Sequence, residues 1–256
     1  MVKHWSLAPS EDADVPGEVL NAKETGRAVN SLAVSLDVHI LVAAQGNTVD
    51  IHDTSSGKDL EFMQRIQAQG DISHIALSRD GRLLAISTFC SGVEIYNIED
   101  SSLVQGFDGH HGRITRAAFS PDGQRVASAS DNCTFKVWPA TESPADHNVL
   151  VRGHAGPVRL AVCGHLSGPV SDVAFFPAQP GHVLAACSNK SVARWDWREN
   201  KVAWRLSNCD YVWRGFRFDA AAAATAGDTS CYVMTDLGSR YVRELASTLT
   251  HHRAPD

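Results

Sequence analysis

"GHHGRITRAAFSPDGQRVASASDNCTFKVW", residues Gly109–Trp138, contains the pattern that decides the fold. An apolar residue stands at i, i+3 and i+5 in "ITRAAFS", an Asp-Gly pair follows in "SPDGQ", and the runs "RVASAS" and "FKVW" come next. Alternating apolar residues predict strands, and Asp-Gly ahead of an apolar run predicts a tight hairpin turn. The stretch and the segment after it are therefore predicted to form about four short antiparallel strands.

The same pattern recurs along the chain at nearly even spacing. Five segments repeat the first motif, and their starts are 43, 42, 56 and 43 residues apart. These segments are "VNSLAVS" from Val29, "ISHIALS" from Ile72, "ITRAAFS" from Ile114, "VSDVAFF" from Val170 and "WRGFRFD" from Trp213. A second motif alternates and ends on an aromatic residue or a substitute: "VKHW" to Trp5, "VDIH" to His52, "VEIY" to Tyr96, "FKVW" to Trp138, "VARW" to Trp195 and "YVMT" to Thr235.

The period of 40–45 residues predicts how the units assemble. A four-stranded antiparallel sheet cannot bury both faces alone, whereas sheets stacked radially can. We therefore expect an all-β fold, a β-propeller of four-stranded antiparallel blades. The copies amount to about five full blades plus an N-terminal half blade, and we expect a ring that is incomplete or irregularly closed.

Residues Gly109–Trp138 resemble a consensus copy of the WD-repeat family, and the spacing extends this resemblance over nearly the whole chain. The resemblance implies a single divergent WD-repeat propeller over residues 1–250. Its expected divisions are a half blade at 1–25, blades at about 28–64, 71–107, 112–152, 168–206 and 211–247, and an insert or blade remnant at 153–166.

The resemblance also implies a hydrogen-bond chain of His, Ser or Thr, Asp and Trp within each blade. The third unit supplies His110, Ser128, Asn132 and Trp138, with asparagine in place of the aspartate. The fourth unit supplies His165, Ala185, Asn189 and Trp195, and its alanine breaks the chain. We therefore expect the blades to be held more by apolar packing than by these networks.

Two irregularities leave the closure of the ring open. The N-terminal half blade is not matched by two strands at the C-terminus, and "GHAGPV" at Gly153 is followed eleven residues later by "GHLSGPV" at Gly164. Three explanations stand: a fragment, splice form or faulty gene model; an open ring completed by a partner strand; or an irregular closure. A partner strand would satisfy the unpaired edge of an open blade.

Composition and motifs exclude several classes of function. The net charge of −6 and pI of about 6.0 argue against direct nucleic-acid binding, which needs many cations. No run approaches the ~20 apolar residues of a membrane span, and no signal peptide is recognisable, so we expect an intracellular protein, cytoplasmic or nuclear. Catalytic and metal-binding motifs are lacking, which predicts a protein that is not an enzyme and holds no cofactor.

We therefore expect a scaffold whose partners are other proteins in a multi-subunit assembly. Rigid scaffolds that present variable loops are used for binding. We expect the partner-binding residues near the starts of the innermost strands. Their places in the repeats make the candidates His111, Arg113, Trp213 and Arg214. For Trp213, the alternative is that it packs in the core as the first apolar residue of its strand.

The segment "WDWR", Trp195–Arg198, suggests a second function. It resembles the W-D-x-R box of substrate receptors that dock onto the adaptor of a cullin–RING ubiquitin ligase. Asp196 and Arg198 would lie at the rim, where the planar guanidinium can offer bidentate hydrogen bonds to an acidic partner. The alternative is that Trp-Asp only ends a repeat for structural reasons.

Overall fold

The computed structural model describes residues 2–5, 19–23, 28–35, 37, 39–55, 60–89, 92–141, 168–176, 179–199, 201–207, 213–218, 231–235 and 238–242. Within these ranges the chain forms twenty strands in six antiparallel sheets, which we number I to VI. The predicted insert at 153–166, including His165, lies outside the described residues.

Sheets I to III hold the first ten strands. Sheet I is β1 (Val2–Trp5) and β2 (Val19–Lys23). Sheet II is β3 (Ser31–Val34), β4 (Ile40–Gln45), β5 (Thr48–Asp53) and β6 (Glu61–Gln67). Sheet III is β7 (Ile72–Leu77), β8 (Leu83–Thr88), β9 (Gly92–Asn97) and β10 (Leu103–Asp108).

Sheets IV to VI hold the remaining ten. Sheet IV is β11 (Ile114–Phe119), β12 (Arg125–Ser130) and β13 (Phe135–Pro139). Sheet V is β14 (Val170–Phe176), β15 (Gln179–Cys187), β16 (Ser191–Asp196) and β17 (Lys201–Leu206). Sheet VI is β18 (Trp213–Phe218), β19 (Cys231–Thr235) and β20 (Gly238–Val242).

The sheets stack through their first strands. Contacts run from β3 to β7, β11, β14 and β18 in that order, so sheets II to VI form an arc around a channel. This all-β arrangement of antiparallel blades confirms the predicted propeller architecture, and within the described residues the propeller is not closed. We call the side on which β7, β11 and β14 begin the upper face, and the side on which they end the lower face.

Each sheet has a leading face toward the preceding sheet and a trailing face toward the next. Because side chains alternate along a strand, neighbouring residues serve opposite faces. In sheet II, Val42, Ala44, Val49 and Ile51 point toward sheet III, where they share one buried cluster with Ile75. Equivalent clusters join sheet III to sheet IV and sheet IV to sheet V, so the core is a series of apolar layers between blades.

The Asp-Gly turns on the lower face owe their shape to a serine two residues before the aspartate. Ser78 Oγ donates to Asp80 Oδ1 at 2.6 Å and accepts from the backbone N–H of Leu83 at 2.9 Å. The hydroxyl of Ser78 is the main reason that the pKa of Asp80 lies below its usual value. Gly81 follows with a φ of +71°, a conformation that glycine adopts without strain.

Candidate functional site: exposed junctions and polar links between blades

Sheet IV contains a continuous hydrogen-bond chain. Trp138 Nε1 donates to Ser128 Oγ at 2.8 Å, and Ser128 Oγ lies 2.8 Å from His110 Nε2. The other ring nitrogen of His110 lies 3.1 Å from Thr134 Oγ1, which donates to Asn132 Oδ1 at 2.6 Å. One proton assignment satisfies every group: each donates toward the next, from the indole to the amide oxygen. Thr134 therefore stands between the histidine and Asn132. The hydrogen-bond chain implied by the family resemblance does not include this link.

Burial keeps the histidine of this chain neutral. Desolvation is the main cause, and the charge of Lys136 adds to it, so the pKa of His110 is lowered to about 4. The neutral ring can donate at Nδ1 and accept at Nε2, as the chain requires. Protonation would turn Nε2 into a donor and oppose the Ser128 hydroxyl.

In sheet V the corresponding tryptophan is held by packing. Trp195 is buried and meets the ring of Phe135 edge-on, with centroids 5.9 Å apart. Ala185, the counterpart of Ser128, is buried in the same apolar layer. Equivalent tryptophans are therefore held in different ways in the two sheets. In sheet IV a hydrogen-bond chain holds the ring, whereas in sheet V ring packing holds it.

On the upper face, Arg113 and Phe89 form an exposed pair across the junction of sheets III and IV. The guanidinium carbon of Arg113 lies 4.9 Å from the centroid of the Phe89 ring, and Phe89 is 41% exposed. His111 is exposed two residues before Arg113. Phe89 was missed by sequence reasoning, because it follows β8 outside both repeated motifs.

Trp213 and Arg214 begin β18, and their side chains lie outside the described part of the structure. The register of β18 against β19 shifts between Trp213 and Gly215, so Arg214 occupies a bulge. The same shift occurs after the first residue of β7, β11 and β14. A bulge at this point bends each first strand beside the channel.

Polar side chains link the first strands to one another along the channel. In three strands, the third residue of the repeated motif accepts a hydrogen bond from the backbone N–H of the fourth residue in the next sheet. These links are Ile75 N to Ser31 Oγ at 3.3 Å, Ala117 N to His74 Nδ1 at 3.2 Å and Phe216 N to Asp172 Oδ2 at 2.7 Å. They tie neighbouring blades together independently of the apolar layers.

Arg116 of β11 varies this scheme, since a guanidinium can only donate. Its Nε lies 3.8 Å from Asp172 Oδ1, while Asp172 Oδ2 accepts from Phe216 N. Asp172 is 3% exposed, so these partners offset the cost of burying its charge. One carboxylate thus joins sheets IV, V and VI.

The Trp195–Arg198 segment ends β16 and begins the turn to β17 on the lower face. Asp196 Oδ1 accepts from the backbone N–H groups of Arg198 and Glu199, both at 3.0 Å. The hydrogen bond from Glu199 is the largest cause of the lowered pKa of Asp196. Asp196 therefore shapes the turn, whereas Arg198 is exposed with its guanidinium carbon 5.5 Å from the Trp197 ring centroid.

A cavity of about 450 Å³ opens on the lower face between sheets III and IV. Asp80, Glu99 and Asp122 line it together with Arg82. Among the described residues, no group of three or more His, Cys, Asp or Glu side chains is arranged to hold a metal ion. Nor does that part of the chain contain a helix with the length and apolar character needed to cross a membrane.

The comparison with known families agrees with the blade geometry. The family described as "WD domain, G-beta repeat" matches residues 101–139, which include β10 to β13. Residues 101–139 therefore carry a WD repeat. This confirms the resemblance drawn from Gly109–Trp138. Among solved structures, a chain in the Crystal Structure of Mitotic Checkpoint Complex aligns with a TM-score of 0.65 over 90% of this chain and 70% of its own length. At 14% identity, that likeness shows the fold alone.

Two curated relatives of this chain illustrate the range of similarity. WD repeat-containing protein 36 of Homo sapiens is 36% identical over 62 residues, which is 24% of this chain and 7% of that protein. Target of rapamycin complex subunit wat1 of Schizosaccharomyces pombe is 26% identical over 175 residues, 65% of this chain and 48% of that protein. The chain thus spans about half or less of the length of these relatives.

Proposed function

We propose that the protein is a non-catalytic scaffold that binds other proteins within a multi-subunit assembly. The observation that carries the proposal is two arginine–aromatic contacts at the surface: Arg113 with Phe89 across the junction of sheets III and IV on the upper face, and Arg198 with Trp197 within the turn after β16 on the lower face. Arginine and aromatic residues are enriched at binding hot spots. The name of the wat1 relative, a subunit of a target of rapamycin complex, supports such a role.

Affinity capture from cells with mass spectrometry tests this proposal. The wild-type chain is compared with Arg113→Ala, Arg198→Ala and the control Arg79→Ala, which alters an exposed turn arginine outside both contacts. We expect a reproducible set of co-purifying proteins, part of which is lost with Arg113→Ala or Arg198→Ala and kept with the control. Recovery of the chain alone in every lane would contradict the proposal.

Docking onto a cullin–RING adaptor through Asp196 and Arg198 is the alternative proposal. The exposure of Arg198 is compatible with it, while Asp196 would act by holding the turn. If docking needs the planar guanidinium, Arg198→Lys should release the adaptor as fully as Arg198→Ala. An adaptor that is never captured, or that stays bound to both variants, would end this proposal.

A partner strand that completes the ring is a finer proposal, supported by the leading face of sheet II. Leu32 and Val34 of β3 are 51% and 49% exposed, although their register counterparts in the next sheet, Ile75 and Leu77, pack against sheet II. An apolar strand of another protein would fit the exposed β3 side of this face. Replacing Leu32 with Glu should remove that protein from the captured set, and an unchanged set would contradict the docking. We further propose a cytoplasmic or nuclear location, as predicted from the sequence.

A further inference from the structure

Three side chains form a cluster on the lower face at the junction of sheets IV and V, which we call the arginine–tryptophan clamp: Arg125, Trp197 and Arg198. The guanidinium carbon of Arg125 lies 5.4 Å from the Trp197 ring centroid, and that of Arg198 lies 5.5 Å from it. Arg125 begins β12 in one sheet, whereas the other two residues belong to the turn after β16 in the next. Only the stacking of blades brings them together.

The backbone around the clamp holds its parts in place. The N–H of Trp197 donates to the carbonyl of Gly181 at 3.1 Å, and the ring packs against the apolar layer between sheets IV and V. A Cβ at position 181 would lie 3.4 Å from Cδ and 3.5 Å from Nε of Arg198. These are ordinary van der Waals distances, so the Arg198 side chain lies along the sheet against position 181, beside Trp197.

The charges near the clamp favour an anionic partner. Asp196 is engaged by two backbone N–H groups of its own turn, and Glu199 forms an ion pair with Lys201. The clamp itself places two guanidinium charges beside one indole ring, on a chain whose net charge is −6. Arginine binds carboxylates in a planar, bidentate manner, and an aromatic ring beside it supplies apolar contact area.

The neighbouring junction has the opposite character. The cavity between sheets III and IV is lined by Asp80, Glu99 and Asp122 with Arg82, so it repels anions on balance. Gln124 lines this cavity and directly precedes Arg125 in the chain, so the acidic cavity borders the clamp. An acidic segment would therefore be drawn to the junction of sheets IV and V and kept from the adjacent one.

We propose that the arginine–tryptophan clamp binds an acidic segment of a partner polypeptide, with carboxylates on Arg125 and Arg198 and the chain of the segment across Trp197. The inference rests on the proposed scaffold function, since it names the chemistry of one partner. This proposal differs from docking by Arg198 alone because Arg125, which belongs to another blade, contributes equally to binding the carboxylates of the segment.

Fluorescence anisotropy with a labelled oligo-glutamate peptide tests the clamp on the intact chain. We expect binding that weakens as salt rises, because the contacts are ionic. Arg125→Gln and Arg198→Gln should each weaken the affinity by about tenfold, roughly 1.4 kcal/mol, as for a lost charge-assisted contact. The matched control Arg79→Gln removes one exposed arginine from another turn of the lower face and should change affinity less than about twofold.

Equal losses for Arg79→Gln and Arg198→Gln, or no binding by the wild-type chain, would overturn the clamp. Charge reversal with Arg198→Glu gives a second readout: it should abolish oligo-glutamate binding while the melting temperature stays near that of the wild type. The scaffold function is judged separately by affinity capture, because partners held at the upper face remain when the clamp fails.

Discussion

Ser128 is the residue on which the polar chain of sheet IV depends, because one hydroxyl serves two buried rings. It accepts from the indole of Trp138 and donates to His110 Nε2. The sequence placed His110, Ser128, Asn132 and Trp138 in one network by resemblance alone. The contribution of Thr134 could not be foreseen, because it depends on the path of the turn between β12 and β13.

Replacing Ser128 with Ala should lower the free energy of unfolding by about 2–4 kcal/mol, since it leaves two buried polar nitrogens without this partner. Urea unfolding measures the change. Ser102→Ala is the matched control: the Ser102 hydroxyl also donates a side-chain hydrogen bond, to the Asp100 carboxylate, but it is exposed, and its loss should cost little. Equal losses of unfolding free energy for the two variants would show that the hydrogen-bond chain in sheet IV adds nothing to stability.

His110 should make stability depend on pH. Its pKa is about 4 in the folded chain, below the ordinary value of 6.5, so the unfolded chain binds the proton more readily. Neutral His110 therefore makes its full contribution to the free energy of unfolding above about pH 6.5. This contribution, up to roughly 3 kcal/mol, is lost as the pH falls toward 4. Denaturant unfolding across this range should show a smaller slope for His110→Gln, and a slope identical to the wild type would refute the assignment.

At the scale of elements, the first strands show how register sets exposure. Leu32 and Ile75 hold the same place in the repeated motif, yet Leu32 is 51% exposed and Ile75 is 1% exposed. Ile75 has the trailing face of sheet II against it, as part of one buried cluster. The sequence pattern treats the two residues alike, and only the position of the sheet within the arc separates them.

Ile75→Ala should destabilise the protein by about 2–4 kcal/mol through the cavity it leaves in this layer. Leu32→Ala, the matched change at the exposed position, should cost well under 1 kcal/mol. Thermal and urea unfolding compare the pair directly. A large cost for Leu32→Ala in the isolated chain would mean that its face is covered in solution.

At the scale of the whole molecule, the blades are joined by two systems. Apolar layers fill the spaces between sheets, and polar links connect the first strands along the channel. Asp172 is the strongest of these links, because it reaches sheet IV through Arg116 and sheet VI through Phe216 N. The loss of Asp172 should therefore destabilise the neighbouring sheets as well as its own.

Asp172→Ala should speed hydrogen exchange at the amide of Phe216 and at amides of β18, because their link to sheet V is lost. We expect a loss of about 2–4 kcal/mol in unfolding free energy as well, since the variant removes a hydrogen-bonded buried group. Exchange followed by mass spectrometry locates the effect, with the exposed Asp100→Ala as control. Unchanged protection in β18 would show that the apolar layer alone holds sheet VI.

Sequence patterns alone establish the all-β class, the repeat of about 43 residues and the resemblance to the WD-repeat family. These follow from local signals: the period-two alternation sets strands, and Asp-Gly sets the turns between them. Such signals involve residues that are close in sequence and belong to one blade.

Only the tertiary structure decided which side chains meet across blades. Arg113 with Phe89, Arg125 with Trp197, and Asp172 with Arg116 all join residues of different sheets. Their proximity depends on the stacking order and angle of the sheets, which no local pattern encodes. The binding surfaces proposed for this protein lie at those junctions, and so they follow from the assembled arc of blades.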